Sequence, residues 1–367
     1  MYIVLRNLAL ALLATGMLTG CGESESTAGG DAATDKTYRW KMVTAWPPNL
    51  PVIMDEIHAF AATVETMSRG QLKIQVFAGG ELVPPLQTFD AVSQGTVEMG
   101  HSAAYYWAGK APAAQYMSAV PFGMTSRGMW SWLYGDDGVE LWRKVYAPFD
   151  LVPIPMGNTG TQMGGWFNKR IESKEDLNGL KMRIPGLGGK VMDAAGANPV
   201  LLSGAEVYTA LERGNIDATE WVGPLHDVRF GLDRAAKYYY YPGWQEPSTQ
   251  LELLINKQAW ESLPEHLQLI IENAAAATSV VMSAKMEVGN AAALAALRES
   301  GHIEVLPFPD DVLDVLHSAS RVAMQKEADA DPMVQEVMDN YDDFREDFDA
   351  WDAVTEAPFR RFMESRE

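Results

Sequence analysis

Cysteine is almost absent from this chain. The single one, Cys21, has no partner for an internal disulfide and no second thiolate for a zinc site. Histidine is sparse as well. His58, His101, His226, His266, His302 and His317 lie far apart, and none shows the close pairing of a helical metal site. Positive charge is scarce: 29 Lys and Arg stand against 49 Asp and Glu, a net charge of −20. Such a surface repels phosphate backbones and excludes nucleic acid as a partner. It also means that an anionic small ligand needs a local positive group. No Gly-x-Ser-x-Gly elbow occurs, and no cysteine nucleophile beyond position 21. The Gly186-Leu-Gly-Gly189 stretch lacks both the dinucleotide spacing and the Lys-Ser/Thr of a phosphate loop.

What is present suits a packed body. The chain has 367 residues, 47% of them hydrophobic, enough for two lobes rather than one small core. Eleven Trp and thirteen Tyr supply core and cleft walls. At the amino end, Arg6 precedes an apolar run over residues 8–18 that closes on Leu18-Thr19-Gly20-Cys21. A positive flank, a short apolar run and small residues before a cysteine predict a lipoprotein signal peptide over 1–20 with lipid on Cys21; a conventional signal peptide is the alternative. Residues 21–37 are small and polar, as in a flexible tether.

Beyond the tether the periodicity alternates between strand and helix. Residues 38–43 read as a strand. Ile53, Ile57, Phe60, Val64 and Met67 then form one helical face, and Leu72, Ile74 and Val76 alternate with Lys73 and Gln75. This order predicts an α/β fold with a parallel sheet. A helix ending at Gly95 with a strand at 97–99 recurs at a constant offset: Phe89, Val92, Gly95, Val97 and Glu98 match Tyr208, Leu211, Gly214, Ile216 and Asp217. The pattern predicts one unit used in each of two lobes, with chance similarity as the alternative. The expected layout is lobe 1 over 38–160 with part of 250–325, lobe 2 over 161–250, and a helical segment over 326–367. Crossings near 158–166 and 245–255 would form a hinge. A two-lobed, periplasmic-binding-protein-like fold follows, with a cleft between the lobes.

Ligands of open α/β sheets sit past the carboxyl ends of strands. Those positions are Ala45, Trp46, residues 101–105 including Tyr105, residues 158–162 including Asn158 and Gln162, Arg183, Glu220 and Trp221. A strand-end guanidinium such as Arg183 can grip a carboxylate with two parallel hydrogen bonds, or simply pair with one of the many acids. Glu220 fits three roles: general base, metal ligand, or partner of Arg183. Asn158 and Gln162 offer neutral amides that suit orientation of polar groups or coordination of a hard cation.

These segments carry a family resemblance. Met182-Arg-Ile-Pro-Gly186, the Gly214-x-Ile-Asp217 unit leading to Glu220-Trp221, and Tyr239-Tyr-Tyr-Pro-Gly-Trp244 resemble the DctP-type solute-binding proteins of tripartite ATP-independent periplasmic (TRAP) transporters over residues 38–325. Gly157-Asn-Thr-Gly160, Gln162-Met-Gly-Gly-Trp166 and Glu220-Trp-Val-Gly-Pro224 look similar to the branch that binds 2-oxoacids or lactate. The resemblance implies an exported protein without catalysis, whose lobes close on a small monocarboxylate and which serves TRAP membrane subunits. Arg183 would anchor the carboxylate, with Asn158, Gln162, Trp221 and Tyr105 around the ligand. A sodium or calcium ion would sit with it, held by Gln162, Glu220, the Trp221 carbonyl and Glu246. Lipid on Cys21 departs from the many freely soluble members. The rival readings are a binding protein for another transporter or a sensor, and a cleft enzyme using Glu220 as base. Tyr341, Phe344, Phe348 and Trp351 share a helical stripe that must be covered, either by the chain's own body or by a second subunit. The branch includes homodimers that exchange this helix.

Overall fold

The structure, a computed structural model, describes residues 36–366. The expected signal peptide and Cys21 lie outside the described residues, as does most of the expected tether.

Eleven strands form two sheets. They are β1 (Tyr38–Thr44), β2 (Leu72–Phe77), β3 (Met99–Ser102), β4 (Leu151–Asn158), β5 (Gly165–Phe167), β6 (Lys181–Arg183), β7 (Asn198–Val200), β8 (Ala218–Thr219), β9 (Tyr238–Tyr241), β10 (Gln250–Asn256) and β11 (Glu304–Pro307). The first sheet runs β2-β1-β3-β10-β4 and the second β11-β9-β5-β8-β6-β7. The two orders correspond. In each, two parallel strands lead to a third (β2-β1-β3 and β7-β6-β8), and that third strand meets an antiparallel one, β10 or β5. Those two antiparallel strands are the crossing ones: β10 follows the second lobe in sequence yet lies in the first sheet, and β5 opens the second.

The doubled helix–glycine–strand unit occupies equivalent places. Gly95 and Gly214 take φ of 68° and 70°, a conformation that costs glycine little. After the first helix, the amides of Gly95, Thr96 and Val97 reach the carbonyls of Val92, Ala91 and Ala91; after the second, Gly214, Asn215 and Ile216 reach Leu211, Ala210 and Ala210. Because Val97 still belongs to the helix cap, the strand starts at Met99 rather than at 97.

Two helical stretches in the carboxyl-terminal third are broken. The 258–300 stretch divides into Lys257–Glu261 and Glu265–Ser300, with Pro264 as the N-cap of the second. The last stretch divides into Pro332–Asp352 and Glu356–Glu364. The helix Glu265–Ser300 is long and apolar enough to cross a membrane by composition, but Leu267, Ile271, Ala275, Met282 and Met286 are buried in the same core as the first sheet. It carries the chain from the first lobe to the second. Within the expected 250–325 segment, β10 joins the first sheet while β11 pairs in parallel with β9 in the second. The helix Asp310–Ala330 buries Val312, Leu316, Ala319 and Ala323 in the core of the second lobe. The helix Pro332–Asp352 then returns to the first: Val334, Val337 and Tyr341 pack with Trp132, Trp142 and Tyr116.

Candidate functional site

Two segments cross between the lobes, 159–164 and 242–249, and they are tied to each other. The Thr159 amide donates to the Thr249 carbonyl at 3.1 Å, and the Gln162 amide to the Glu246 carbonyl at 3.2 Å. Beside them lies a small cavity of about 10 Å³. Trp46, Ile53, Tyr105, Tyr106 and Leu251 wall it from the first lobe, Arg183, Trp221 and Val222 from the second, and Thr159 from the crossing. A larger groove of about 440 Å³ runs past Tyr134, Arg143, Ile154 and Glu272. It holds no buried unpaired polar atom, whereas the interlobe cavity has Trp221 Nε1 on its wall, and Gln162 Oε1 and Glu220 Oε2 on residues bonded to its Thr159 and Arg183. Chemistry therefore favours the smaller cavity.

Arg183 ends β6 and is 1% exposed. Its Nε donates to the Leu202 carbonyl at 3.1 Å. Nη1 donates to the Glu220 carbonyl at 3.3 Å and forms an ion pair with Glu220 Oε1, while Nη2 reaches the Tyr106 hydroxyl at 3.4 Å. The guanidinium also lies 4.9 Å from the centre of the Trp221 ring. Of its five N–H groups, one on Nη2 remains. The internal partner that the sequence left as an alternative is thus in place, and Arg183 does not stand free with two parallel hydrogens for a carboxylate.

Glu220 has one bonded oxygen and one orphan. Two other buried carboxylates, Asp227 and Glu252, are met on both oxygens. Asp227 accepts from Trp166 Nε1 (2.9 Å) and the Tyr239 hydroxyl (2.7 Å) on one oxygen and from the Val222 amide (3.3 Å) on the other. Glu252 accepts from Trp107 Nε1 (2.5 Å) and the Tyr146 hydroxyl (2.8 Å). Glu220 Oε2 has no partner, and neither has Gln162 Oε1. The Gln162 amide nitrogen donates to Glu246 Oε2 at 2.8 Å, Thr249 Oγ1 at 2.9 Å and Thr159 Oγ1 at 3.3 Å, which fixes the amide's orientation and leaves its oxygen as the unused acceptor. Burial pushes the Glu220 carboxyl well above its ordinary range, with Arg183 opposing and Glu246 reinforcing. Burial likewise raises Glu246 to about 7, against hydrogen bonds from Thr249 and Gln162 and the charge of Arg183. Two buried carboxylates and one amide, with an orphan oxygen on Glu220 and another on Gln162, suit a hard cation with oxygen ligands. Among the described residues no group of three His, Cys, Asp or Glu side chains could hold a metal; this donor set mixes carboxylates with an amide.

Tyr105 belongs to the same electrostatic group. Burial raises its hydroxyl pKa well above 10, and Glu246 and Glu220 push in the same direction. Its ring crosses the cleft to Gly186, where an added Cβ would stand 2.7 Å from Tyr105 Cβ. Gly186, the first residue of the helix Gly186–Ala194, thus serves close approach of the lobes. Gln162, Glu220 and Glu246 are not on the cavity wall, and neither is Asn158. Its Oδ1 accepts from Ser126 (2.8 Å) and the Gly160 amide (2.8 Å), and its amide nitrogen donates to Ser248 (2.9 Å), so it pins the crossing segments instead. Tyr106, Ile53, Val222 and Leu251 escaped the sequence reading. Tyr106 was detectable as the neighbour of Tyr105 at a strand end; the others are apolar and carry no signal apart from packing. Trp46 is held by His101, whose Nδ1 accepts from the indole at 2.7 Å while Nε2–H donates to the Met156 carbonyl at 2.9 Å.

The profile of the bacterial extracellular solute-binding proteins, family 7, matches residues 42–330. The chain belongs to that family. It is a solute-binding protein of the TRAP type, extracytoplasmic and not an enzyme. It is 40% identical to a monocarboxylate 2-oxoacid-binding periplasmic protein of Nostoc sp. (strain PCC 7120), over 98% of each chain. Among solved structures, a TRAP periplasmic solute-binding protein of Colwellia psychrerythraea with bound calcium and pyruvate is 39% identical, with a TM-score of 0.86 over 89% of this chain and 99% of that one. A TRAP solute-binding protein of Bordetella bronchiseptica RB50 is 36% identical, with a TM-score of 0.88 over 90% and 98%. It is a mixed-occupancy dimer, one site holding calcium and picolinate.

Proposed function

We propose that the interlobe cavity binds a small 2-oxo monocarboxylate together with a calcium or sodium ion, and that the loaded protein delivers it to TRAP membrane subunits. The observation that carries this reading is the pair of orphan buried acceptors, Gln162 Oε1 and Glu220 Oε2, beside one buried guanidinium. Without a cation, a ligand carboxylate entering next to Glu220 meets a like charge. At ~4 Å and an effective dielectric of about 20 that repulsion is on the order of 4 kcal/mol. A hard cation there supplies the positive charge that turns two neighbouring anions into a neutral cluster. Gln162, Glu220, Glu246 and the Trp221 carbonyl would hold it. Arg183 would orient the ligand carboxylate with its remaining Nη2 hydrogen, and Tyr105 and Tyr106 offer hydroxyls to the same cavity. The pyruvate and calcium of the Colwellia relative support this assignment. Calorimetry with pyruvate, lactate and a sugar, each with and without calcium or sodium, tests it. Tight pyruvate binding that collapses in chelated, sodium-free buffer is expected. Equal affinity with and without ions removes the cation; no binding of any 2-oxoacid removes the substrate class.

Two further assignments belong to this reading. Lipid on Cys21 would tether the protein to a membrane, and globomycin treatment with fractionation tests it; a soluble mature protein starting downstream of Cys21 refutes it. The aromatic stripe of the carboxyl-terminal helix divides in two. Tyr341 is buried on the chain's own body, where its hydroxyl accepts from the Met124 amide at 2.8 Å, and Phe344 and Phe348 pack partly against the same cluster. Trp351 is 61% exposed, and Val354, Phe359 and Phe362 beyond it are exposed too. That uncovered end, with the dimer of the Bordetella relative, supports a homodimer joined through this segment. Light scattering should give twice the chain mass, and Trp351→Ser with Phe359→Ser should give one; a wild-type monomer at micromolar concentration refutes the dimer.

A further inference from the structure

The segment between β1 and the helix Ile53–Met67 carries a cavity wall residue at each end, Trp46 and Ile53. Its amino end is fixed by His101 of the same lobe. Its carboxyl end is unusual. Val52 takes φ 62° and ψ −56°, and the Ile53 amide closes on the Pro51 carbonyl at 2.6 Å. This is a γ-turn of the rare, strained hand, with a β-branched residue at its centre, where φ above zero is least tolerated.

The Pro51 carbonyl has a second donor, and it comes from the other lobe. His226 Nε2 lies 2.8 Å away. A carbonyl can only accept, so Nε2 carries the hydrogen and Nδ1 is bare; Nδ1 has no partner. His226 is fully buried and sits on the helix Pro224–Phe230, which is itself anchored in the second lobe. The Leu225 amide donates to Asn290 at 3.1 Å, and Asp227 is clamped by Trp166 and Tyr239. A rigid donor on one lobe therefore meets a strained acceptor on the other. Burial lowers the imidazole pKa to about 4, so the ring is neutral at neutral pH and keeps the same tautomer.

We infer that His226 is a positioning residue that fastens the 46–53 segment across the cleft and so sets the rate at which the bound carboxylate leaves. This rests on the interlobe cavity being the ligand site. The bond joins one lobe to the other, and neither His226 nor Pro51 is on the cavity wall. It therefore slows opening without aiding encounter.

Stopped-flow tryptophan fluorescence with pyruvate and calcium measures both rates, since Trp46 and Trp221 wall the cavity. In His226→Leu, release should be about tenfold faster, the scale of a lost buried hydrogen bond, and association should change by less than about twofold. His226→Gln keeps an N–H donor and should recover most of the loss. Val52→Gly removes the turn's strain with His226 in place and should slow release by about fivefold; it also gives a reading should the leucine variant fail to fold. A folded His226→Leu protein that releases pyruvate at the wild-type rate overturns the inference, as does unchanged or faster release in Val52→Gly. Wild-type protein that binds no 2-oxoacid with calcium instead overturns the proposed function.

Discussion

Replacing Glu220 by Gln separates two accounts of this cleft by the sign of the effect. The side chain is 1% exposed, with Oε1 on Arg183 and Oε2 on nothing. Glutamine has the same shape and keeps one oxygen for the guanidinium, so the fold should survive. If Glu220 is only the internal partner of Arg183, the substitution frees the positive charge, and pyruvate should bind more tightly with no dependence on calcium. If Oε2 is a cation donor, the substitution removes one negative charge from the ion and can present an N–H₂ to it. One unit charge at ~4 Å in an effective dielectric of about 20 is worth on the order of 4 kcal/mol, about a thousandfold. Arg183 on the other oxygen offsets part of that. The expected loss of calcium affinity is therefore about 30- to 1,000-fold, and pyruvate affinity should fall with it. Calorimetric titration of calcium at fixed pyruvate, and of pyruvate at fixed calcium, reads both. Calcium affinity within about threefold of wild type, or a gain in pyruvate affinity, refutes the cation assignment.

Arg183→Lys retains the charge but not the planar fork that reaches Leu202, Glu220 and Tyr106 together. Pyruvate affinity should drop by about 1–3 kcal/mol in calorimetry, the range of a charge-assisted hydrogen bond, and an unchanged value would place the anchor elsewhere. Glu246 gives a pH signature. Its folded-state pKa is raised to about 7 from 4.5 by burial, so its contribution to the stability of the ligand-free protein is full below pH 4.5 and is lost as pH rises through 7. A cation needs the ionised form, so binding near pH 7 should release a proton. Calcium affinity should weaken as pH falls from 8 to 6, approaching tenfold per unit. Calorimetry in buffers of differing ionisation enthalpy detects the proton, and a flat profile over that range would remove Glu246 from the donors.

Period, punctuation and one repeated unit made much of this protein legible before any coordinates. The alternation in β2, the helical stripe from Ile53 to Val64, and Gly95 and Gly214 as helix stops are local facts, set by side-chain direction and by which residues tolerate positive φ. The doubling of the helix–glycine–strand unit announced two lobes, and the ends of β3 and β6 pointed to Tyr105 and Arg183, which wall the interlobe cavity. Local rules stop where partners are far apart in sequence. That Arg183 is bonded to Glu220, that Asn158 turns to Ser126 and Ser248 rather than to the cavity, and that β11 joins the second sheet each depend on pairings across tens of residues. Helix periodicity marks the stripe from Tyr341 to Trp351 as needing cover; only packing shows that its first part has found Trp132 while Trp351 has not. The unpaired oxygens of Gln162 and Glu220, and the meeting of His226 with Pro51, exist only because closure of the lobes excludes water and leaves each polar atom with the neighbours that the fold provides.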